Sequence, residues 1–330
     1  MQNLRCINKE DWNSTLKRLL VSHLIYATTE NNSHLDYELI TEADVNRISY
    51  NRPKPVTPLK SFFLPVSENV TATNSHGKPR IIIGTPNCDT EGLGILDEMY
   101  LDKDFKDIFY KSKRENTILI SADCFGILEH CHCLSYGIKP YSNGIADLSI
   151  LEKGGMMIFR ILSTKGEQFL NTLTAVVIPE DKNIVEFIEE KHSSTESLLK
   201  EANKGLPDYK RTGSLVSEAK KEIWKKYSAK CVSCGACATI CPTCTCFLLI
   251  DKPGFEKIKQ LDACQYPGFE RVAGGEDGLA ELPQRFRNRY MCKYVWKPER
   301  FNSVACTGCG RCIEACIGKI NKNELFMELA

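Results

Sequence analysis

The chain has 330 residues, with 43 Lys and Arg against 42 Asp and Glu, for a formal net charge of +1. That balance leaves no excess of cations to neutralise phosphates, so non-specific nucleic-acid binding is not expected. A hydrophobic content of 42% is ordinary for a globular chain, and the length suits two or three domains.

Taken in chain order, the first part reads as mixed secondary structure, with Trp12, Leu16, Leu19 and Leu20 at helical spacing. The segment RPKPVTPLKSFFLP, within 51–65, holds four prolines and reads as an extended arm across the surface, packed on a partner or on the chain's own core. Arg80 to Thr85 (RIIIGT) and Thr117 to Ala122 (TILISA) have the apolar density of buried strands, and Gly94 to Lys111 between them has a helical pattern. Met156 to Leu162 is a further strand. A charged helix is expected from Lys182 to Lys204, with Ile184, Phe187, Ile188, Leu198 and Leu199 as its apolar positions. GLPDYKRTG, from Gly205, marks a boundary, and Ser214 to Tyr227 is a helix leading into a cysteine-rich region. The expected fold class is therefore α+β. A mixed α/β domain (1–204) precedes a helical lead-in and a cysteine-rich module (205–330).

Apolar runs such as Phe247 to Ile250 fall far short of the ~20 residues that span a bilayer. The opening MQNLRCINKEDW has neither an apolar signal core nor paired arginines, so a cytoplasmic location with no direct membrane insertion is expected.

The chain has 17 cysteines, an odd number that makes a poor disulfide framework. In a reducing compartment such thiols serve as metal ligands or catalytic groups. Cys231, Cys234, Cys237 and Cys241, followed by Pro242, follow the bacterial ferredoxin spacing C-x2-C-x2-C-x3-C-P. Cys306, Cys309, Cys312 and Cys316 repeat it with Ile317 in place of the proline. Three cysteines two residues apart wrap one cubane, and Gly235 and Gly310 let the backbone pass close to it. The fourth cysteine of such a run reaches the other cluster. One [4Fe–4S] cluster is thus expected on Cys231, Cys234, Cys237 and Cys316, and a second on Cys306, Cys309, Cys312 and Cys241. A zinc ribbon uses only four cysteines, commonly in two C-x2-C pairs, and matches two complete runs poorly.

Other cysteines lie outside this pattern. Cys88 follows the first buried strand and Cys124 the second; were the strands parallel, both would lie at one sheet edge, where α/β sheets bind ligands. Cys131 and Cys133, in EHCHCLSYG, would close a third site, for an iron–sulfur cluster or zinc, with His130 and His132 as alternative ligands. The plainer alternative is four unconnected thiols. Between the ferredoxin runs lie Cys244, Cys246, Cys264 and Cys292. Cys244 and Cys246 either join Cys264 in a further metal site or are buried thiols shielding the clusters.

The stretch EIWKKYSAKCVSCGACATICPTCTCF, the segment Cys264 to Phe269, Ala273-Gly-Gly275, Arg285 to Arg289 and Cys306 to Cys312 together resemble two related proteins. These are the beta subunit of cytoplasmic NiFe sulfhydrogenases and the dicluster iron–sulfur subunit of anaerobic sulfite reductase. Upstream, Cys88-Asp89, Asp97 to Leu101, Cys124 and Cys131-His-Cys133 match the same families, so the resemblance runs over about residues 55 to 320. No role passes to Cys292, where those proteins often carry another residue. The resemblance implies an electron relay between a flavin subunit that works on NAD(P)H and a catalytic subunit. The catalytic subunit is a NiFe hydrogenase in one branch and a sirohaem sulfite reductase in the other. No G-x-G-x-x-G follows a strand, so the chain itself shows no dinucleotide site, and no catalytic residue stands out. Two other readings compete: a metal-dependent reductase that uses the Cys88, Cys124, Cys131 and Cys133 site, and a zinc-stabilised interaction module.

Overall fold

The structure is a computed structural model describing residues 3–31, 34–72, 77–174, 176–177, 183–301 and 303–330. The chain is α+β. Its first half is built on strands β1 (Leu4–Asn8), β2 (Leu24–Asn31), β3 (His34–Leu39), β5 (Arg80–Thr85), β6 (Thr117–Ala122), β7 (Leu148–Lys153) and β8 (Met156–Ile161). Among the described residues these form one seven-stranded sheet in the order β1-β8-β7-β6-β5-β2-β3. β2, β5, β6 and β7 are mutually parallel, and antiparallel strands close both edges.

Alternation along β5 sends Ile81 and Ile83 to one core and Ile82 to the other. Helix α1 (Lys9–Leu19) covers the first face with Trp12 and Leu16. Its start is fixed by the Asn8 side chain, which accepts from Glu10 N–H, and acidic and basic residues at its two ends complement the helix dipole. The second face carries helices α2 (Asn87–Tyr100) and α3 (Ile108–Glu115), with Leu93, Leu96 and Tyr110 in its core. Helices α4 (Thr164–Asn171) and α5 (Asn183–Ala202) complete this half.

The second half opens with helices α6 (Thr212–Glu218) and α7 (Lys221–Ser228), and the short α8 (Ala236–Thr239) lies within the first ferredoxin run. A hairpin of β9 (Phe247–Lys252) and β10 (Glu256–Leu261) follows. β4 (Ser67–Asn69) crosses from the first half to pair with β10, giving the sheet β4-β10-β9. Helix α9 (Leu282–Met291) then runs through a π turn at Cys292–Trp296 into α10 (Lys297–Phe301). Short α11 (Arg311–Glu314) and terminal α12 (Lys322–Leu329) complete the chain. An aromatic core of Trp224, Phe286, Tyr290, Tyr294 and Phe326 holds this half together. Among the described residues no helix is long and apolar enough to cross a membrane.

Several sequence expectations change. The proline-rich arm does not lie on the surface: Leu59 and Phe63 are fully buried on the second face of the sheet, and Leu59–Phe62 form a 3-10 turn. Its prolines end regular structure, but its apolar residues drive it into the core. The expected helix over 94–111 begins earlier, at Asn87, breaks after Tyr100, and restarts where Asp107 caps α3. The helix expected over 214–227 is two helices parted at Ala219-Lys220. The helix expected from Lys182 is present as α5; Lys182 itself lies outside the described residues, and Leu198 faces solvent rather than the core. The β9–β10 hairpin was hidden because its polar strand residues dilute the alternation that marks a strand.

Candidate metal centres

Cys231, Cys234, Cys237 and Cys316 line one cavity, together with Cys312, Gln265, Arg289 and Tyr290. The two ferredoxin loops share a backbone shape. Gly235 and Gly310 both take left-handed φ, at 71° and 79°, and open α8 and α11. Ser233 N–H donates to Cys231 Sγ at 3.4 Å, and Ile320 N–H to Cys316 Sγ at 3.3 Å. Such donors stabilise a thiolate. Burial nonetheless outweighs the donor at Cys231 and raises its thiol, and at Cys237 it pushes the thiol up to about 11.

A second cavity is lined by Cys306, Cys309, Cys312 and Cys241, with Lys293 beside them. The fourth cysteine of each run therefore sits with the first three of the other, and Cys312 lines both cavities. Lys293 is buried and donates to Cys241 Sγ at 3.1 Å, Thr243 Oγ1 at 2.7 Å and Ala305 O at 2.7 Å. Pro242 packs against α2, where a side chain at Gly92 would come within 2.9 Å of it, whereas its counterpart Ile317 is exposed. The proline thus has a packing role in the first run that the second run does not need.

The upstream thiols meet on the flank of the second cavity. β5 and β6 are parallel, so Cys88, in the first turn of α2, and Cys124, just past β6, emerge at one sheet edge. Cys88, Cys133 and Cys309 pack in one buried cluster with Leu199, and Cys131 lies against it. Burial drives the Cys124 thiol well up, and the nearby Cys133 and Cys131 add to the effect. Leu128 N–H donates to Cys131 Sγ at 3.4 Å, and Lys54 Nζ stands 4.0 Å from the same sulfur and 2.6 Å from Glu314. The 130–133 loop rests directly on the second ferredoxin loop, since His132 N–H donates to Gly308 O at 2.8 Å. Of the two alternative ligands, His132 is buried with Nδ1 2.6 Å from His130 O, and its ring meets Tyr136 edge-on. Burial, helped by Lys322, holds its pKa well below the usual value, so the ring stays neutral.

Among the described residues no three Cys, His, Asp or Glu side chains close on a point as a single metal ion requires. The ferredoxin thiols line two cavities instead. The chemistry of these donor sets, four thiols with backbone N–H groups aimed at sulfur, fits iron–sulfur clusters.

Sequence reading missed the cations. Arg285, Arg289, Lys293 and Lys297 recur every fourth residue along α9, the π turn and α10, and all four are buried. The spacing was a visible signal: it marks one helix face, and that face meets thiols rather than water. Lys54 and Lys60 had no such signal, because the arm that carries them gives no periodicity.

Comparison with known proteins agrees with this geometry. Residues 230–320 match the family described as the 4Fe-4S dicluster domain. The chain is also 32% identical over 324 residues, 92% of each chain, to sulfhydrogenase 2 subunit beta of Pyrococcus furiosus. This chain therefore belongs to the sulfhydrogenase beta-subunit family, whose iron–sulfur character its C-terminal dicluster domain carries.

Proposed function

We propose that this chain is the electron-relay subunit of a cytoplasmic, multi-subunit oxidoreductase. It would pass electrons between a flavin subunit that works on NAD(P)H and a NiFe hydrogenase subunit. The observation that carries this reading is the crossed arrangement of the two cavities: each holds the first three cysteines of one run and the fourth of the other, with Cys312 on the wall they share. One [4Fe–4S] cluster belongs to Cys231, Cys234, Cys237 and Cys316. A second belongs to Cys306, Cys309, Cys312 and Cys241. A third iron–sulfur cluster belongs to Cys88, Cys124, Cys131 and Cys133. When bound, such clusters supply reversible one-electron chemistry at potentials set by their surroundings.

The chain's own residues do the setting and the positioning. Lys293 places a charge-assisted donor on Cys241 Sγ, which favours the more negative, reduced state. Ser233, Ile320 and Leu128 N–H groups do the same, more weakly, at Cys231, Cys316 and Cys131. Packing of Cys88 and Cys133 against Cys309 keeps the third site next to the second. The named relative favours a hydrogenase as the catalytic partner over a sirohaem sulfite reductase.

The test is anoxic affinity purification of the full chain from its own cells. Co-purification of a flavin subunit together with a NiFe large subunit is expected. Co-purification with a sirohaem protein instead would reassign the catalytic partner, and hydrogen or NAD(P)H turnover by the cluster-replete isolated chain would contradict a pure relay.

A further inference from the structure

The two ferredoxin runs share one spacing, yet one site is open to solvent and the other is covered. Three matched positions show it. Val232 is 60% exposed and its counterpart Thr307 only 2%. Ile317 is 66% exposed, whereas its counterpart Pro242 is buried. Cys234 is exposed and its counterpart Cys309 is buried; among the 17 cysteines only Cys234 is exposed. The second site is covered by the 130–133 loop, on which Gly308 and Gly310 rest, and by Pro242 against α2. The first site has no such cover over Val232, Cys234 and Ile317.

The residue types run against the usual burial order. The branched apolar side chains, Val232 and Ile317, stand at the exposed positions, and Thr307 takes the buried one. One exposed apolar residue is ordinary; two beside the one exposed thiol of a cluster site mark a contact surface. The exposed residues form one face. Val232, Cys234 and Gly318 line the same cavity. Gly318 lies against Lys230, whose carbonyl oxygen would be 1.9 Å from a side chain placed there. Lys319 follows, its N–H donating to Cys316 O at 3.0 Å. Lys230 and Lys319 are both exposed, and among the described residues neither pairs with a carboxylate. On the neighbouring helices, Glu314 of α11 pairs with Lys54 and Glu328 of α12 with Lys226. The apolar pair is thus flanked by two uncompensated cations.

Electron transfer between two centres weakens steeply with distance, so a partner's centre must approach where a cluster site reaches the surface. We propose that the face of Lys230, Val232, Cys234, Ile317 and Lys319 is the docking surface for one redox partner, a protein that carries carboxylates around its own redox centre. The apolar pair would be dehydrated at the middle of the contact, and the two lysines would meet the partner's carboxylates at its rim. Opposite charge at the rim speeds and orients the encounter. The proposal rests on reading the chain as an electron relay, and it assigns the first ferredoxin site as the one that exchanges electrons with that partner.

The experiment compares lysine acetylation, read by mass spectrometry, in the complex purified without oxygen from the protein's own cells and in the isolated full chain. Lys230 and Lys319 are expected to lose most of their labelling in the complex, and a carbodiimide, which joins amines to touching carboxylates, to link one of them to a redox subunit. Lys230→Glu with Lys319→Glu should keep the iron and sulfide of the unaltered chain and slow association with that subunit about tenfold or more at low salt. Should the left-handed position of Lys319 not tolerate the change, Lys230→Glu alone decides. Equal labelling of both lysines in complex and isolated chain overturns the proposal, as does protection without a link to a carboxylate, or unchanged association of the charge-reversed chain. A redox subunit that leaves both lysines open counts against this face alone; a complex with no redox subunit overturns the relay reading and this face with it.

Discussion

Arg311 holds Asp89 through two hydrogen bonds, of 2.5 and 2.8 Å, with both side chains fully buried. Arg311 lies between Cys309 and Cys312, and Asp89 directly follows Cys88, so one ion pair joins the second ferredoxin loop to the upstream thiol set. The same guanidinium also donates to Pro55 O and Val56 O of the proline-rich arm. Removing one partner of a buried pair strands the other charge, at a cost of about 3–5 kcal/mol. Arg311→Met should therefore lower stability by that order in chemical denaturation, and Asp89→Asn in the same chain should restore part of it. A cost under ~1 kcal/mol for Arg311→Met would show that the junction does not depend on this pair.

Lys293 predicts a redox effect. Its ammonium favours the reduced form of whatever anionic group Cys241 helps to hold, so Lys293→Met should make that centre harder to reduce. For one electron, about 60 mV corresponds to 1.4 kcal/mol of differential stabilisation, and a shift of tens of millivolts downward is expected. A potentiometric titration followed by electron paramagnetic resonance checks it, and an unchanged potential would remove Lys293 from the tuning of this site.

The two ferredoxin loops should respond unequally to substitution at matched positions. Ser233 and Gly308 both take left-handed φ, at 54° and 63°. A side chain at Gly308 would meet His132 O at 2.4 Å, and one at Gly310 would meet His130 O at 2.3 Å, both backbone atoms. At Gly235 the obstacle is the Tyr266 ring, a side chain that can yield. Gly308→Ser and Gly310→Ala should therefore prise the 130–133 loop from the second site, with lower thermal stability and iron lost from the upstream set. Ser233→Gly should change stability by less than about 1 kcal/mol.

One pH effect lies away from the clusters. Asp107 caps α3, accepting from Phe109 and Tyr110 N–H, and pairs with Lys259 of β10 at 2.7 Å. Burial pushes its carboxyl up, but Lys259 and the two N–H groups outweigh this and hold it below the ordinary value. Its contribution is present above the unfolded carboxylate value of about 3.9 and is lost as pH falls through the lower folded value. Asp107→Asn should flatten the acid limb of stability against pH below about pH 4, measured by denaturation at a series of pH values; a limb of unchanged slope would assign the acid sensitivity elsewhere.

Much of this was legible in the sequence where chemistry fixes spacing. The two ferredoxin runs can be read directly, because three thiols around one cubane tolerate little variation in the chain between them. The β5 and β6 strands were legible because a strand buried on both faces must be apolar throughout. The packing of the arm was not legible because proline reports backbone geometry and says nothing about burial: Leu59 and Phe63 go inward onto the chain's own core, carrying Lys60 with them. The Arg311–Asp89 pair was hidden for another reason: it joins positions far apart in the chain, and no local pattern records such a contact.

The most direct test of the relay reading is the content of iron, acid-labile sulfide and zinc in the full chain purified without oxygen. Equal iron and sulfide are expected, about eight of each for the ferredoxin pair and about four more for the Cys88, Cys124, Cys131 and Cys133 site. Zinc in place of iron, with no sulfide, would contradict it.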